Sequence, residues 1–438
     1  MKNSRNDISR RTFVKASTVA SLAAATSYPF RVRAAGSDRI RIGLIGCGNR
    51  GGGAVANCFE ADDGVDLVAI ADAYAHGERF ERGMNNIKKW CKENGQKYDQ
   101  RVKISRDSIF TGFSGYKELL ALDDIDLVLI ATPANFHPVH LAAAIEANKH
   151  VFMEKPAAVD PPGARSIIKS GELARQKGLS IVAGTQRRHS AGYRQNAYAV
   201  QQGAVGRLMS GRVWWCGGGS STPPKRLPDQ DDAEYMVRNW YRFSQMSGDH
   251  IVEQHVHNLD VANWFIGRPP VMALGFGGRA RRQGGNQYDF FSVDLDYGED
   301  VIVHSMSRQI KECYTRVSEH FVGTEGSLWG DGKIKGKSID LPEFEEKGGP
   351  YVQEHRDLIA SIRDKKPINE AQNVAESTLT AILGRISAYT GQLVRWTDLT
   401  EKGGSPWYDL RMDPSAEDFE RGQVVVPVEN VIPLPGKA

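Results

Sequence analysis

The sequence predicts an α/β domain built on a doubly wound parallel sheet, followed by an α+β domain with a mostly antiparallel sheet. Up to residue 187, short apolar runs alternate with helical stretches, which is typical of parallel strands joined by helices. A glycine-rich turn, Gly46-x-Gly48-x-x-Gly51, follows the first run. Beyond residue 188, the last four strand-like segments follow one another without helices between them, which favours antiparallel pairing.

Charge and cysteine content exclude several classes of protein. The net charge is +3. Residues 1–35 contain seven Lys or Arg and one Asp, so the remainder carries about −3 and offers no basic field for nucleic acid. No run approaches the roughly 20 apolar residues that span a bilayer. The five cysteines form no C-x-x-C pair, which predicts neither a disulfide framework nor a zinc site.

Residues 1–35 are predicted to be an export signal. The segment Ser9 to Lys15 reads Ser-Arg-Arg-Thr-Phe-Val-Lys and resembles the twin-arginine consensus. A mildly apolar stretch rich in small residues follows, and Ala34-Ala35-Gly36 offers a cleavage point. The alternatives are a disordered basic tail and an amphipathic membrane helix. The signal predicts recognition by the twin-arginine export machinery and a periplasmic or otherwise exported protein.

The glycine-rich turn has the spacing of a dinucleotide-binding loop between a strand (residues 38–45) and a helix (residues 51–60). Gly46 permits the tight turn, Gly48 lets the backbone approach phosphates, and Gly51 lets the helix lie close to the strand. Asn49 and Arg50 lie between these glycines and are candidate cofactor-binding residues with them. An ordinary glycine-rich turn is the alternative.

Asp72 provides the context that the glycine loop needs. It ends the apolar run 65–71 and lies about 26 residues after Gly46, close to the spacing of roughly 20 expected for the acid that binds the ribose hydroxyls. A carboxylate there would repel a 2′-phosphate, and Asp72-Ala73-Tyr74 contains no arginine, so NAD is favoured over NADP. The alternative is that Asp72 caps the next helix.

Three further apolar runs end in polar motifs. Residues 125–131 end in Thr132-Pro133-x-x-x-His137, and residues 149–153 deliver Glu154-Lys155-Pro156. Residues 179–184 lead to Gln186-Arg187-Arg188. The first run is almost entirely apolar, as expected of a strand covered on both faces. By itself, Lys155 would be interpreted as a solvated lysine at a strand end.

Together, the glycine loop, Asp72, Thr132-Pro133-x-x-x-His137 and Glu154-Lys155-Pro156 resemble the Gfo/Idh/MocA oxidoreductases, over roughly residues 38–395. The resemblance implies a Rossmann domain, a second domain with a large open sheet, and redox chemistry on carbinols of sugars and cyclitols with bound nicotinamide. It places Lys155 beside the nicotinamide and the reacting carbinol. It also adds Thr132, Pro133, His137 and Glu154 to the candidate cofactor-binding residues.

The domain organisation follows from these assignments. We predict a signal at residues 1–35, a Rossmann domain at 36–187, a substrate and oligomerisation domain at 188–400, and a C-terminal tail at 401–438. The resemblance implies a dimer or tetramer through the open sheet. Pro350 is well placed to begin one amphipathic helix, and Gly391 to end another.

Residues 216–249 are predicted to be a long irregular insertion. Loops of this length in compact domains are usually functional. Aromatic rings stack on sugar faces and Arg binds hydroxyls, so Tyr235 and Trp240, together with Arg188, are candidate substrate-binding residues. An oligomer contact is the alternative.

Glu253 and His257 supply the candidate acid–base chemistry. A helix predicted from residue 250 to Trp264, with Gly267 as its stop, would place them four residues apart on one face, where the carboxylate can fix the imidazole tautomer. In the family a D-x-x-x-H motif occupies this place and its His is the usual general acid/base; here Glu253 replaces the Asp. The alternatives are that His257 caps or packs, or that it binds metal with His250, and no metal is predicted.

The predicted reaction is oxidation of a sugar hydroxyl held between Lys155 and His257. His257 would take the proton while Lys155 polarises the oxygen. Because the twin-arginine route carries folded proteins, NAD is expected to be loaded before export and tightly retained. Two alternatives remain open: an NAD-dependent glycosidase that oxidises its sugar transiently, and a non-catalytic sugar or nucleotide sensor.

Overall fold

Six parallel strands form the first sheet of the computed structural model, which describes residues 39–219, 226–431 and 435. The strand order is β3-β2-β1-β4-β5-β6, and each neighbouring pair is parallel. The strands are β1 Ile40–Ile45, β2 Val65–Asp72, β3 Ile109–Thr111, β4 Leu127–Ile130, β5 His150–Met153 and β6 Ile181–Ala183. This confirms the doubly wound sheet, and every residue of β4 is buried, as predicted for a strand covered on both faces.

Helices cover both faces of this sheet. They are α1 Asn49–Ala61, α2 Gly77–Glu93, α3 Tyr98–Arg101, α4 Gly115–Leu120, α5 His137–Glu146 and α6 Pro161–Lys177. One apolar core joins α1 and α2 to one face, and a second joins α4, α5 and α6 to the other. Short 3₁₀ turns at Arg106–Ser108, Ala134–Phe136 and Gln186–His189 complete this part of the chain.

Eight strands form the second sheet, in the order β13-β12-β11-β7-β10-β9-β8-β14. They are β7 Leu208–Gly217, β8 Met272–Gly278, β9 Phe290–Asp296, β10 Ile302–Gln309, β11 Arg316–Gly323, β12 Gly326–Trp329, β13 Ile334–Lys335 and β14 Val394–Arg395. The pairing of β7 with β10 is parallel and the other pairs described are antiparallel. This confirms the mostly antiparallel second sheet.

The remaining helices join different apolar cores, some on the second sheet and others beside the first domain. They are α7 Ala191–Gln201, α8 Asp232–Arg238, α9 Ser244–Ser247, α10 Asp249–Glu253, α11 Val256–Ile266, α12 Pro350–Arg363, α13 Ala371–Thr390, α14 Trp396–Thr400 and α15 Ala416–Glu420. As predicted, α12 begins at Pro350 and α13 ends at Gly391, whose φ is 69°. Side chains of α12 join the first-domain core beside α1 and α2.

Two sequence predictions in this region need correction. The helix predicted from residue 250 to Trp264 is two helices, α10 and α11, separated at Gln254 and His255, although it does stop at Gly267. The insertion predicted to be irregular contains α8, α9 and a 3₁₀ turn at Trp240–Arg242. Within the described residues, no helix is long and apolar enough to cross a membrane. The predicted signal at residues 1–35 lies outside the described residues.

Candidate active site

The glycine turn after β1 has the geometry that its spacing predicts. Gly46 has a φ of 94°, and a Cβ added there would lie 2.9 Å from the backbone of Ala131. A Cβ on Gly51 would overlap the carbonyl oxygen of Gly46. A Cβ on Gly48 would meet no described atom within 4 Å. Gly46 and Gly51 are therefore required by packing, whereas Gly48 faces open space that a ligand can fill.

That open space is a cavity of about 520 Å³ at the carboxyl ends of β1, β2 and β4. The N-terminus of α1 points into it, and its N-cap, Gly48, provides no side-chain cap. Uncapped N–H groups at a helix start suit a phosphate. Seven of the predicted cofactor-binding residues line the cavity: Gly46, Gly48, Asn49, Arg50, Asp72, Thr132 and Pro133. The residues present therefore fit a dinucleotide.

Asp72 is held at the edge of this cavity. Its Oδ2 accepts a hydrogen bond from the Cys47 N–H at 2.7 Å, and its Oδ1 accepts one from the Tyr74 N–H at 2.9 Å. Burial raises the pKa of the Asp72 carboxyl, and those two N–H groups oppose that shift. The next helix, α2, has His76 at its N-cap, so the helix-capping alternative for Asp72 is wrong.

Sequence reasoning missed a set of arginines around Asp72. Arg79, Arg82 and Arg238 all line the same cavity. Arg79 and Arg82 lie on α2, after the segment Asp72-Ala73-Tyr74 that bears on NADP binding. Arg238 lies in the insertion. The segment Asp72-Ala73-Tyr74 contains no arginine, but these three arginines line the cavity around Asp72.

Four other predicted cofactor-binding residues do not line this cavity. One is Lys155, described below, and the other three position residues that do line it. The buried ring of His137 has Nδ1 2.7 Å from the Pro156 carbonyl oxygen and Nε2 2.8 Å from that of Thr132, which ties the loop after β4 to the loop after β5. Gly51 lies beneath the turn. The Glu154 carboxylate accepts a hydrogen bond from Arg50. Their contact with a cofactor stays a prediction.

Lys155 is not a solvated lysine. Its Nζ donates to the backbone oxygen of Glu253 at 2.6 Å and to Glu253 Oε1 at 2.8 Å, and its side chain is 14% exposed. The predicted pairing of Glu253 with His257 is therefore wrong, because the Glu253 carboxylate binds Lys155. The physical reason is the break between α10 and α11, since residues four apart share a face only on a continuous helix.

His257 lies in the first turn of α11, buried beside Lys155. Its ring stacks on the Trp215 indole, with centroids 5.7 Å apart and planes at 23°, and its nitrogens bind no described residue. Burial lowers the pKa of His257 well below 6.5, and the nearby Lys155 and Arg187 lower it further. The imidazole is therefore neutral at neutral pH and has a nitrogen that can accept a proton.

The alternative that His257 joins a metal site has no geometric support. His250 packs against Phe291, with ring centroids 5.1 Å apart, and burial lowers its pKa well below 6.5. Across residues 39–219, 226–431 and 435, no three His, Cys, Asp or Glu side chains are grouped as metal ligands would be.

The three predicted substrate residues contact different parts of the molecule. Arg188 makes a bidentate ion pair with the buried Asp260. Its Nε lies 2.9 Å from Oδ2 and 3.1 Å from Oδ1, and its second donor nitrogen lies 2.9 Å from Oδ1. A buried carboxylate requires such a cation. Tyr235 is buried, and its hydroxyl donates to Glu429 at 2.7 Å. Trp240 lines the dinucleotide cavity. The insertion therefore contributes Trp240 to the wall of the dinucleotide cavity, and contact of these three residues with a substrate stays a prediction.

Other residues surround Lys155 and His257 in their place. Trp215 stacks on His257, and Arg187 pairs with Glu319. The hydroxyl of Tyr241 accepts a hydrogen bond from Gln309, and Tyr241 lies near Glu253. Arg187 and Arg188 are neighbours in the sequence. Choosing which of them lies beside His257 requires knowing that Arg188 pairs with Asp260. Trp215 and Tyr241 carried no local signal that distinguished them from their aromatic neighbours.

Two descriptions of one family match successive parts of the chain. Residues 40–184 match "Oxidoreductase family, NAD-binding Rossmann fold" of GFO/IDH/MocA, and residues 193–329 match "GFO/IDH/MocA C-terminal domain". The predicted twin-arginine signal precedes both matches.

The chain is also similar to characterised sugar enzymes over part of its length. It is 26% identical over 233 residues to a dTDP-3,4-didehydro-2,6-dideoxy-alpha-D-glucose 3-reductase from Actinomadura kijaniata, covering 53% of this chain and 58% of the reductase. It is 30% identical over 175 residues to an alpha-N-acetylgalactosaminidase from Shewanella oneidensis, covering 40% of this chain and 34% of that enzyme. The chain thus spans well under two thirds of either relative.

Among solved structures, the fold is similar to scyllo-inositol dehydrogenase from Lactobacillus casei with bound NAD(H) and scyllo-inositol. The TM-score is 0.58 at 18% identity, with 82% of this chain and 99% of that chain covered. The strand orders, the glycine turn and the two family matches agree, and this chain belongs to the GFO/IDH/MocA oxidoreductase family, with an NAD-binding Rossmann domain.

Proposed function

We propose that this protein is an NAD-dependent oxidoreductase that acts on a secondary hydroxyl of a sugar, glycoside or cyclitol. The observation that carries the proposal is the buried lysine–glutamate pair, Lys155 with Glu253, beside the neutral imidazole of His257. A cation and a neutral base, both shielded from water, are what removal of a hydroxyl proton requires. The dehydrogenase with the similar fold was solved with a cyclitol.

In this proposal Lys155, His257 and Glu253 have different roles in the oxidation. Bound NAD supplies the acceptor for the hydride of the carbinol carbon. Lys155 donates a hydrogen bond to the substrate oxygen and stabilises the negative charge that develops there. His257 accepts the hydroxyl proton on the ring nitrogen that binds no described residue. Glu253 fixes the direction of the Lys155 side chain through its carboxylate and its carbonyl oxygen.

We further propose that NAD is preferred over NADP. The Asp72 carboxylate is fixed at the cavity wall by two backbone N–H groups, so it meets any 2′-phosphate with a negative charge. Arg79, Arg82 and Arg238 add positive charge to the same cavity, so the negative charge of Asp72 is what opposes a 2′-phosphate there. The ratio of the dissociation constants for NAD and NADP measures this preference directly.

The test of the main proposal uses protein purified without added nucleotide. Absorbance of the released cofactor shows whether NAD(H) is present, and the protein is then incubated with glucose, inositol and a panel of nitrophenyl glycosides. Sugar-dependent formation of reduced nicotinamide supports the oxidoreductase. Bound NAD without reduction or product release on the panel supports a sensor, and absence of both binding and turnover contradicts the proposal.

A glycosidase is the second candidate, favoured by the similarity to the alpha-N-acetylgalactosaminidase. Transient oxidation of a sugar acidifies the neighbouring C–H and permits elimination of the aglycone, after which water addition and reduction restore the sugar. Lys155 and His257 serve this route equally well. Release of nitrophenol without net reduction of NAD identifies it.

Export and assembly are also proposals. The motif Ser9 to Lys15 supports export by the twin-arginine route with NAD loaded beforehand, and cell fractionation with N-terminal sequencing of the exported protein tests it. One face of the second sheet exposes Leu274, Phe276, Met306 and Trp329. An exposed apolar face supports a homo-oligomer, and light scattering of the purified protein gives its size.

A further inference from the structure

The wall of the dinucleotide cavity comes from both domains. Val237, Arg238 and Trp240 line it together with Gly48 and Asp72. The first two end α8, and the third begins the 3₁₀ turn that follows. All three belong to the insertion between β7 and α9. This insertion is far from the glycine turn in sequence and is not part of the Rossmann unit.

Polar contacts bind the end of α8 to the loop that follows Asp72. The carbonyl oxygen of Arg238 accepts a hydrogen bond from Arg79 on α2. The guanidinium of Arg238 lies 5.4 Å from the centroid of the Tyr74 ring, and its Nε donates to Glu234 at 2.5 Å. The start of α8 is capped by Asp231, which accepts from the Glu234 N–H at 2.7 Å. Contacts with Tyr74 and with Glu234 thus determine the orientation of the Arg238 side chain.

A segment near the C-terminus forms hydrogen bonds with α8. We call residues 415–430 the tail segment. Its Glu429 accepts hydrogen bonds from the Tyr235 hydroxyl at 2.7 Å and from the Gly285 N–H at 2.6 Å. The Val426 N–H donates to Asp232 at 2.8 Å. The tail segment therefore contacts the first residue and the middle of α8 and connects them to Gly285 in the second domain.

The tail segment also supports a second part of the cavity wall. Phe419, on α15, packs against Phe113 and Phe136, with ring centroids 5.1 Å from each, and these two phenylalanines line the cavity. The same apolar cluster contains Tyr235 and, at its edge, Trp240. One apolar cluster thus joins the tail segment, the insertion and the Rossmann loops around a single opening.

We propose that Val237, Arg238 and Trp240 are dinucleotide-binding residues supplied by the insertion, and that the tail segment holds them in place so that the nucleotide dissociates slowly. The proposal rests on NAD binding as described above. Arg238 contributes positive charge toward a ligand with two phosphates, and Val237 and Trp240 contribute apolar surface that shields it from water. Exit of the nucleotide requires this wall to move, which also requires contacts of the tail segment to break.

The experiment measures the release rate of NAD from the full chain, without turnover. Protein loaded with radiolabelled NAD is mixed with excess unlabelled NAD, and the label that stays bound is followed in time. Trp240→Ala and Arg238→Ala remove wall side chains. Tyr235→Phe removes the hydroxyl that binds Glu429 and leaves the ring. Tyr297→Phe is the matched control, because it removes a buried hydroxyl that binds Asn263 in the second-domain core at 2.7 Å.

We expect release to accelerate about tenfold or more in Trp240→Ala and Arg238→Ala, and each tenfold change corresponds to a barrier to dissociation lower by about 1.4 kcal/mol. Tyr235→Phe should accelerate release several-fold at unchanged domain fold, and Tyr297→Phe should not. If the wild-type chain binds NAD and the two wall variants, Trp240→Ala and Arg238→Ala, release it at the wild-type rate, the assignment of the wall residues is overturned and the proposed function stands. If Tyr235→Phe alone releases NAD at the wild-type rate, the role of the tail segment is overturned. If the wild-type chain binds no NAD, the proposed function itself is overturned, and this inference with it. Arg238→Ala, with its side chain partly exposed, keeps the test valid if Trp240→Ala fails to fold.

Discussion

The glycine turn and the catalytic group are built in opposite ways. At the turn, Cys47 and Asp72 are joined by a hydrogen bond across 25 positions of one β-α-β unit, and the contacts depend on backbone geometry. In the catalytic group, Lys155 and Glu253 are 98 positions apart and belong to different domains. Backbone motifs of the first kind can be read locally, whereas side-chain pairings of the second kind depend on how the domains pack.

The difference explains where local reasoning fails. Glu253 and His257 have the spacing of a helical pair, but one break in the helix separates them and leaves Glu253 to bind Lys155. The variants below each change one side of this comparison, and they follow in order of decreasing expected effect.

Lys155→Ala should abolish turnover while NAD remains bound. The variant removes the cation that stabilises the substrate oxygen, and loss of such a donor reduces kcat by about 10³-fold. Steady-state kinetics and the NAD dissociation constant are measured in parallel. Lys177→Ala is the control, since Lys177 ends α6 and binds the carbonyl oxygens of Ile145 and Glu146 at the end of α5. Sugar-dependent NAD reduction at the wild-type rate in Lys155→Ala would refute the assignment.

His257→Gln should reduce turnover by roughly 10²-fold to 10⁴-fold, because it removes the base. The pH profile gives a separate signature. Oxidation requires the neutral imidazole, and burial holds the pKa of His257 well below 6.5, so kcat/KM for oxidation should stay level from neutral pH down past 6.5 and fall only at lower pH. An acid limb at or above pH 6.5 in the wild type, or one that persists unchanged in the variant, contradicts the role of His257.

Gly48→Ala and Gly51→Ala separate ligand binding from folding within one turn. A Cβ on Gly48 meets no described atom within 4 Å and its φ of −86° is open to alanine, so the fold should keep its Tm while NAD binding weakens. A Cβ on Gly51 overlaps the Gly46 carbonyl oxygen, so that variant should lose about 1–3 kcal/mol of stability. Thermal unfolding with and without NAD distinguishes them. Equal losses of Tm in both variants would mean that Gly48 also serves packing.

Asp72→Ser should narrow the preference for NAD over NADP by about tenfold, the smallest effect of this set. The serine keeps a hydroxyl acceptor and removes the negative charge, while the cavity arginines Arg79, Arg82 and Arg238 remain to meet a 2′-phosphate. The dissociation constants for both nucleotides are measured by titration. A ratio that does not change would assign the preference to another residue.

Much of the fold was predictable, for identifiable reasons. The buried apolar run of β4, Pro350 at the start of α12 and Gly391 at the end of α13 each reflect a local requirement of burial, φ angle or hydrogen bonding. The insertion was harder, because α8 and α9 are short and their apolar side chains pack against the tail segment, which follows more than 150 residues later.

The sequence by itself determined the parallel and antiparallel sheets and the glycine turn with Asp72 at the end of β2. These depend on residue type, periodicity and spacing within single elements. Lys155 and His257 became the candidate chemistry through the resemblance of their motifs to the family. The tertiary structure alone decided that Glu253 binds Lys155, that Arg188 is occupied by Asp260, and that the insertion forms a wall of the dinucleotide cavity. The physical reason is that a buried charge pairs with the opposite charge that packing brings near it, and distance along the chain does not specify that partner.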